Sequence, residues 1–393
     1  MTIAKKIKSS IANSSMIRKM FEEGIAMKKK YGADKVYDFS LGNPNVEPPD
    51  EFKKELKKIA EEIIHNKHGY MPNAGYPETR QAIAVKINKR HGLKLGADHV
   101  IMSCGAGGAL NVIFKTLLDP KDEVIVPVPY FMEYNAYIDN YGGILRKVKT
   151  ENDFSLDIKA IASAVNKKTK VILINSPNNP TGKVYSKQNI ADLARMLTKK
   201  SRELKKAIYL ISDEPYSEIV YDKVKVPNIF SAYKNSIIAY SYSKTLSLPG
   251  ERIGYIAINP DIEDAEDLIN ALILCTRILG FVNAPAIMQR VVTRLQNTKV
   301  EVDVYKRKRD MLCAGLKKAG YKFEKPQGAF YLFVQSPVSD DLKFVKMLLK
   351  KNILVVSGSA FGSSGYFRIA YCVDDATIIN SMQGFAEAIR ECQ

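Results

Sequence analysis

The chain has 393 residues, 46% of them hydrophobic and 26% charged, the balance of a globular protein too long for one ordinary core, so two domains are expected. Lys and Arg total 59 against 42 Asp and Glu, a formal net charge of +17 that raises nucleic acid or an anionic surface as a partner. The basic residues are scattered, however. The runs Lys28-Lys29-Lys30 and Lys306-Arg307-Lys308-Arg309 carry no interleaved aromatic platform, so both read as solvated helix faces and nucleic acid is set aside.

The opening residues lack the apolar core of a signal peptide, and no apolar stretch approaches the roughly 20 residues of a membrane span. Periodicity from about Ser14 to Lys30 predicts an amphipathic helix with Ile17, Met20, Phe21 and Ile25 on one face. Val36 to Phe39 reads as a short strand running into Leu41-Gly42-Asn43-Pro44, where a glycine lets the backbone approach a ligand closely. A second helix is expected over Glu51 to Ile64. His65 and His68 follow at helical spacing without a third ligand, so no metal is assigned. Gly69 to Arg80 is too rich in Gly and Pro for regular structure.

His99 to Ser103 is a strand, followed by the turn Cys104-Gly105-Ala106-Gly107-Gly108 and an apolar helix to Leu118. Free N–H groups and the helix dipole converge at such a turn, so Gly105, Ala106 and Gly107 form a cradle for one phosphate. The turn does not match GxGxxG with a following acid, which disfavours a dinucleotide. Strands are then expected over Asp122–Val126, Lys170–Asn175, Ala207–Ser212 and Ile237–Tyr240. Their ends carry Pro129-Tyr130-Phe131-Met132-Glu133-Tyr134, Asn178-Asn179-Pro180-Thr181-Gly182, Asp213-Glu214-Pro215-Tyr216 and Ser241-Tyr242-Ser243-Lys244. Polar residues at successive strand ends mark the ligand edge of an open α/β sheet. Lys244 flanked by Ser241 and Ser243, with Arg252 beyond, combines an amine nucleophile with anion ligands, which suits a phosphorylated aldehyde held as a Schiff base. Arg252 is expected to open a strand over Ile253–Ile258. The alternation of strands and helices from about residue 45 to 260 indicates a largely parallel sheet with helices on both faces.

Asp264 to Leu279 is expected to be helical, and a long charged helix is expected over Pro285 to Gly320. Strand signals return at Phe330–Phe333, Ile353–Val356 and Tyr366–Ala370, where Arg368 lies between Phe367 and Ile369 and faces away from both. The five cysteines, Cys104, Cys275, Cys313, Cys372 and Cys392, form no CxxC pair and are odd in number, which implies reduced thiols and a cytoplasmic setting.

These strings, in this order, resemble the class I/II pyridoxal-phosphate-dependent aminotransferases, the aspartate-aminotransferase-like family of fold type I. The resemblance spans about residues 14 to 390. It implies a largely parallel sheet of seven-stranded type with helices on both faces, and a small α+β domain made from both chain ends. Residues 1–45 would form the arm and part of the small domain, 46–285 the cofactor domain and 286–393 the C-terminal small domain.

It also implies roles. Lys244 would hold the cofactor aldehyde and carry the proton. Asp213 would keep the pyridine nitrogen protonated, while Tyr216 and Asn179 would donate to the ring oxygen. Phe131 would stack on the ring, and Ser241, Ser243 and Arg252 would join the Gly105–Gly107 turn on the phosphate. Gly42 and Arg368 would contact substrate, Arg368 and Asn179 at the α-carboxylate. Tyr70 would reach the phosphate of a neighbouring subunit, which implies a homodimer. Arg277 falls one residue from the position at which aspartate-type members bind a distal carboxylate.

Two departures stand out: Thr79 replaces the family's leucine before Arg80, and the Gly-rich turn lacks its usual hydroxyl or lysine. The expected activity is ping-pong transamination from an L-amino acid, aspartate included, to a 2-oxo acid such as 2-oxoglutarate. The alternatives are a C–S β-lyase on the same fold, a transcription regulator, whose extra DNA-binding domain has no room ahead of the first motif, and a silent binding protein.

Overall fold

The computed structural model describes residues 3–12 and 16–392. Among them are twelve strands: β1 (Tyr37–Asp38), β2 (Val100–Ser103), β3 (Glu123–Val128), β4 (Ile144–Lys149), β5 (Thr169–Asn175), β6 (Tyr209–Asp213), β7 (Ser236–Ser241), β8 (Gly254–Ile258), β9 (Tyr331–Gln335), β10 (Ile353–Leu354), β11 (Val356–Ser357) and β12 (Tyr366–Ala370). Seven of them form one sheet in the order β2-β8-β7-β6-β5-β3-β4, in which only β8 runs antiparallel to its neighbours.

Its strands are apolar on both faces because both faces are covered. Along β5, Ile172 and Ile174 enter the core on one side with Leu193 and Leu197 of the helix Lys187–Leu204. Val171 and Leu173 enter the core on the other side with Ile113 and Phe114 of the helix Gly105–Leu117. The expected fold type I sheet is present. The exposed edge strand β4 has no clear sequence signal, because Arg146, Lys147 and Lys149 interrupt its apolar pattern; charge of this kind protects an edge from further pairing.

Two smaller sheets lie after and across this one. β11, β12 and β9 are antiparallel in that order, and β1 pairs parallel with β10, Tyr37 opposite Ile353 and Asp38 opposite Leu354. A separate core joins Phe39 of the N-terminal segment to Phe330, Phe344, Phe367 and Phe385.

Three local expectations are corrected. The N-terminal segment forms two helices, Lys5–Ala12 and Met16–Tyr31, and Ile25 is exposed while Gly24 and Met27 are buried. Gly24 sets that face, since it packs so closely on Asp38 that a Cβ would stand 2.8 Å from Oδ2. Ser14 and the side chains of Ile17 and Phe21 lie outside the described residues. The Gly- and Pro-rich stretch ends at Tyr76, since Pro77 occupies the first turn of a helix, Pro77–His91, where its missing N–H has no cost. The long helix after Pro285 is two helices, Ala286–Arg294 and Val302–Ala319. Between them the chain turns so that the Val300 N–H donates to the Thr245 carbonyl at 2.8 Å, tying the linker to the lysine segment.

Gly254 pairs with Ser241 on one side and Ser103 on the other. A Cβ there would stand 2.3 Å from the Tyr240 carbonyl oxygen and 3.0 Å from the Gly105 backbone. Tyr240 cannot move without opening the sheet, and Gly105 cannot move without shifting the start of its helix. Gly254→Ala is therefore expected to destabilise the protein by about 1–3 kcal/mol. Thermal unfolding checks this, and an unchanged midpoint would mean that the backbone has room there.

Candidate active site

A cavity of about 310 Å³ opens where β5, β6 and β7 end, the edge at which α/β sheets bind ligands. Its wall brings together Gly42, Ala106, Gly107, Phe131, Asn179, Asp213, Tyr216, Ser241, Ser243, Lys244, Arg252 and Arg368 from eight separate stretches of chain. Sequence reasoning singled out each of these.

One end is built for an anion. Ser241 ends β7 and accepts from the Ser243 N–H at 3.1 Å, which places the two hydroxyl oxygens 2.6 Å apart. The helix Gly105–Leu117 starts here with no side chain capping its first N–H groups, so they and the helix dipole remain available. Gly105 is not itself in the wall, but a Cβ on it would lie 3.1 Å from the Arg252 guanidinium. Arg252 has φ 53 and donates to the Pro249 carbonyl at 2.9 Å.

Arg368 lies at the opposite end. It is buried on β12, the central strand of its sheet, and not on an edge. Its guanidinium stacks between Tyr331 at 4.7 Å and Phe361 at 4.9 Å. It donates to Asn179 Oδ1 at 3.1 Å and to the Ser40 carbonyl, and its Nε has no partner.

Between these ends lie an amine and a carboxylate. Lys244 Nζ donates to the Gly42 carbonyl at 2.8 Å. Gly42 is required there: a Cβ would stand 2.0 Å from Tyr331 Oη. Burial lowers the Lys244 pKa from 10.5 to about 8, with Arg252 and Arg368 adding to the effect. Asp213 Oδ2 accepts from Tyr134 Oη at 2.5 Å, and Asn175 Nδ2 donates to the Asp213 carbonyl at 2.8 Å. The other carboxylate oxygen, Oδ1, is buried with no partner. Burial pushes the Asp213 carboxyl up to about 7, against the opposing pull of the Tyr134 hydrogen bond.

Two expected residues lie apart from this cavity. Tyr70 is 91% exposed, and Arg277 is exposed on the helix Ala265–Ile278. Sequence reasoning missed Tyr134, Asn175, Tyr137 and Tyr331. Tyr331 donates to or accepts from Tyr216 Oη at 2.8 Å. Tyr134 stands inside the Pro129–Tyr134 string and Tyr331 inside the expected strand Phe330–Phe333, and Asn175 is the polar last residue of an apolar strand, which is the only signal that could have found it.

The lowered Lys244 pKa has a direct consequence. Its reactive neutral form grows as pH rises through about 8, well below the 10.5 of an ordinary lysine. Reductive methylation with formaldehyde, followed by mass spectrometry of the Lys244 peptide, should reach half its maximum near that lower pH.

A family model for aminotransferase class I and II matches residues 34–384. A probable aspartate aminotransferase from Methanocaldococcus jannaschii is 32% identical over 344 residues, covering 85% of this chain and 88% of that protein. A crystal structure of an amino transferase from Eubacterium rectale superposes with a TM-score of 0.97 at 38% identity, covering 100% of this chain and 99% of that one. Aspartate aminotransferase from Thermus thermophilus with maleate superposes at 0.88 and 26% identity, covering 99% of this chain and 100% of that one. With the cavity described above, these matches identify the chain as a member of the class I and II aminotransferases and a transaminase.

Proposed function

We propose that this transaminase uses pyridoxal 5'-phosphate, bound in the cavity around Lys244. It would pass an amino group from an L-amino acid to a 2-oxo acid such as 2-oxoglutarate in two half-reactions. The observation that carries the reading is Asp213 Oδ1, a buried carboxylate oxygen with no partner, in a cavity that also holds a buried amine. A buried acceptor of this kind calls for a donor, and a protonated ring nitrogen supplies one. Bound there, the cofactor would serve as the electron sink that makes the substrate Cα–H acidic.

The chain's own residues do the rest. Backbone N–H groups at Gly105, Ala106 and Gly107, with Ser241, Ser243 and the Arg252 fork, suit a phosphate. Phe131 offers a ring face for stacking. Tyr216 and Asn179 would donate to the ring oxygen. Arg368, already fixed by aromatic stacking, would grip the substrate α-carboxylate, using the Nε that lacks a partner. Lys244, with a pKa lowered to about 8, is suited to take the proton from Cα and to return it, and its amine is held in the cavity by the Gly42 carbonyl.

Aspartate is the donor we favour, because relatives from several organisms are named aspartate aminotransferases. The exposed Tyr70 fits a homodimer in which it serves the neighbouring subunit's phosphate, and Arg277 would be the residue to test for a distal carboxylate. The division into residues 1–45, 46–285 and 286–393 and a cytoplasmic location belong to the same reading.

The test is a survey of single amino acids with 2-oxoglutarate as acceptor. Stoichiometric glutamate formation, highest with aspartate, is expected. Release of pyruvate and ammonia from cystathionine, without glutamate, would instead make the protein a C–S β-lyase.

A further inference from the structure

Asp213 is held by more than its backbone. Its Oδ2 takes the Tyr134 hydroxyl at 2.5 Å, the length of a hydrogen bond to an ionised oxygen, while Oδ1 on the same carboxylate is buried and unpaired. Tyr134 has little freedom to turn away. Its ring is 1% exposed, meets Phe131 edge-on at 5.6 Å and lies roughly parallel to Tyr130 at 6.5 Å. The Asp213 main chain is equally fixed, since Asn175 donates to its carbonyl and the next N–H donates to the Ala239 carbonyl at 2.8 Å. One oxygen is thus occupied by a rigid donor and the other is left for something else.

We propose that Tyr134 is the positioning residue of the ring-nitrogen site: its hydroxyl engages Asp213 Oδ2 and so presents Oδ1 to the cofactor's N–H. The inference rests on the reading of Asp213 as the partner of that nitrogen. Two physical effects follow. The phenol fixes the carboxylate plane, so that the unpaired oxygen does not rotate between two equivalent bonds. It also favours the ionised carboxylate, which burial alone opposes. Removing the donor leaves burial unopposed, so the Asp213 pKa moves further up and the ionised form is lost over a wider pH range.

The other ionisable groups facing Asp213 do not replace this donor. Tyr137, one turn along the same helix, and Tyr216 and Glu214 just beyond β6 would only add negative charge on ionising. Lys244, Arg252 and Arg368 border the same cavity, but their side chains donate to the Gly42 carbonyl, the Pro249 carbonyl and Asn179 rather than to Asp213.

The experiment compares apoprotein affinity for pyridoxal phosphate with that for a deaza analogue carrying C–H in place of the ring nitrogen. The wild type should prefer the nitrogen-bearing form. In Tyr134→Phe this preference should fall roughly ten- to a hundredfold, with affinity for the analogue unchanged. The acid limb of the preference should also move up by about one to two pH units. Tyr130→Phe, which removes a neighbouring hydroxyl bonded to Asn135, should keep the wild-type preference and pH limb. Equal weakening of both ligands in Tyr134→Phe, or no change in either, would overturn the inference, because packing alone would then explain the tyrosine. A wild type that binds both ligands alike would overturn the reading of Asp213 itself, and the inference with it. If Tyr134→Phe does not fold, the wild-type apoprotein supplies a second test. A downfield, exchange-protected hydroxyl proton that vanishes in Asp213→Ala supports the hydrogen bond, and its absence overturns it.

Discussion

The site depends on burying an amine and a carboxylate in one cavity without letting them neutralise each other. Stripping a charge of water is costly unless a partner replaces the water, and the simplest partner for Lys244 would be Asp213. The fold gives each a different one. Lys244 bonds to the Gly42 carbonyl and Asp213 to the Tyr134 hydroxyl, both neutral groups. Neither partner cancels the charge, so both pKa values shift toward neutrality, Lys244 down to about 8 and Asp213 up to about 7. Lys244 is thereby suited to take and return a proton near the pH of the cell, while the Tyr134 hydroxyl opposes the protonation of Asp213 that burial favours.

The sheet order makes this arrangement possible. Asp213 and Ser241 end the adjacent parallel strands β6 and β7, and Asn175 ends β5 beside them, so three polar side chains reach one edge in register. The antiparallel β8 brings Gly254 against Ser103 and Ser241, and the absence of a side chain there lets the Gly105 turn approach the serines. The smaller sheets contribute the other wall. Gly42 follows β1, Arg368 belongs to β12 and Tyr331 to β9, so the Arg368 end of the cavity is built from both ends of the chain.

What was legible in the sequence is what is local. Lys244 with its serines, the Gly105 turn and the Asn179 string each carry their chemistry within a few residues at a strand end, and all of them reached the cavity. The apolar runs of β5 and β7 identified a sheet covered on both faces. What was not legible depends on contacts distant in sequence. Tyr134 meets Asp213 only because the segment after β3 and the end of β6 are brought together across β5. The break after Arg294 is set by a hydrogen bond from Val300 to Thr245, which no local propensity encodes. The buried face of the first long helix includes Met20, as the apolar pattern expected, but continues through Gly24 against Asp38 and Met27 rather than through Ile25.

The most direct measurement is covalent trapping. The apoprotein is incubated with pyridoxal phosphate, reduced with borohydride, digested and mapped by mass spectrometry. If Lys244 is the amine at the centre of the site, one phosphopyridoxyl group per chain appears on Lys244, and Lys244→Ala takes up none. A label spread over surface lysines, or one retained in Lys244→Ala, would contradict the assignment of this cavity as the cofactor site.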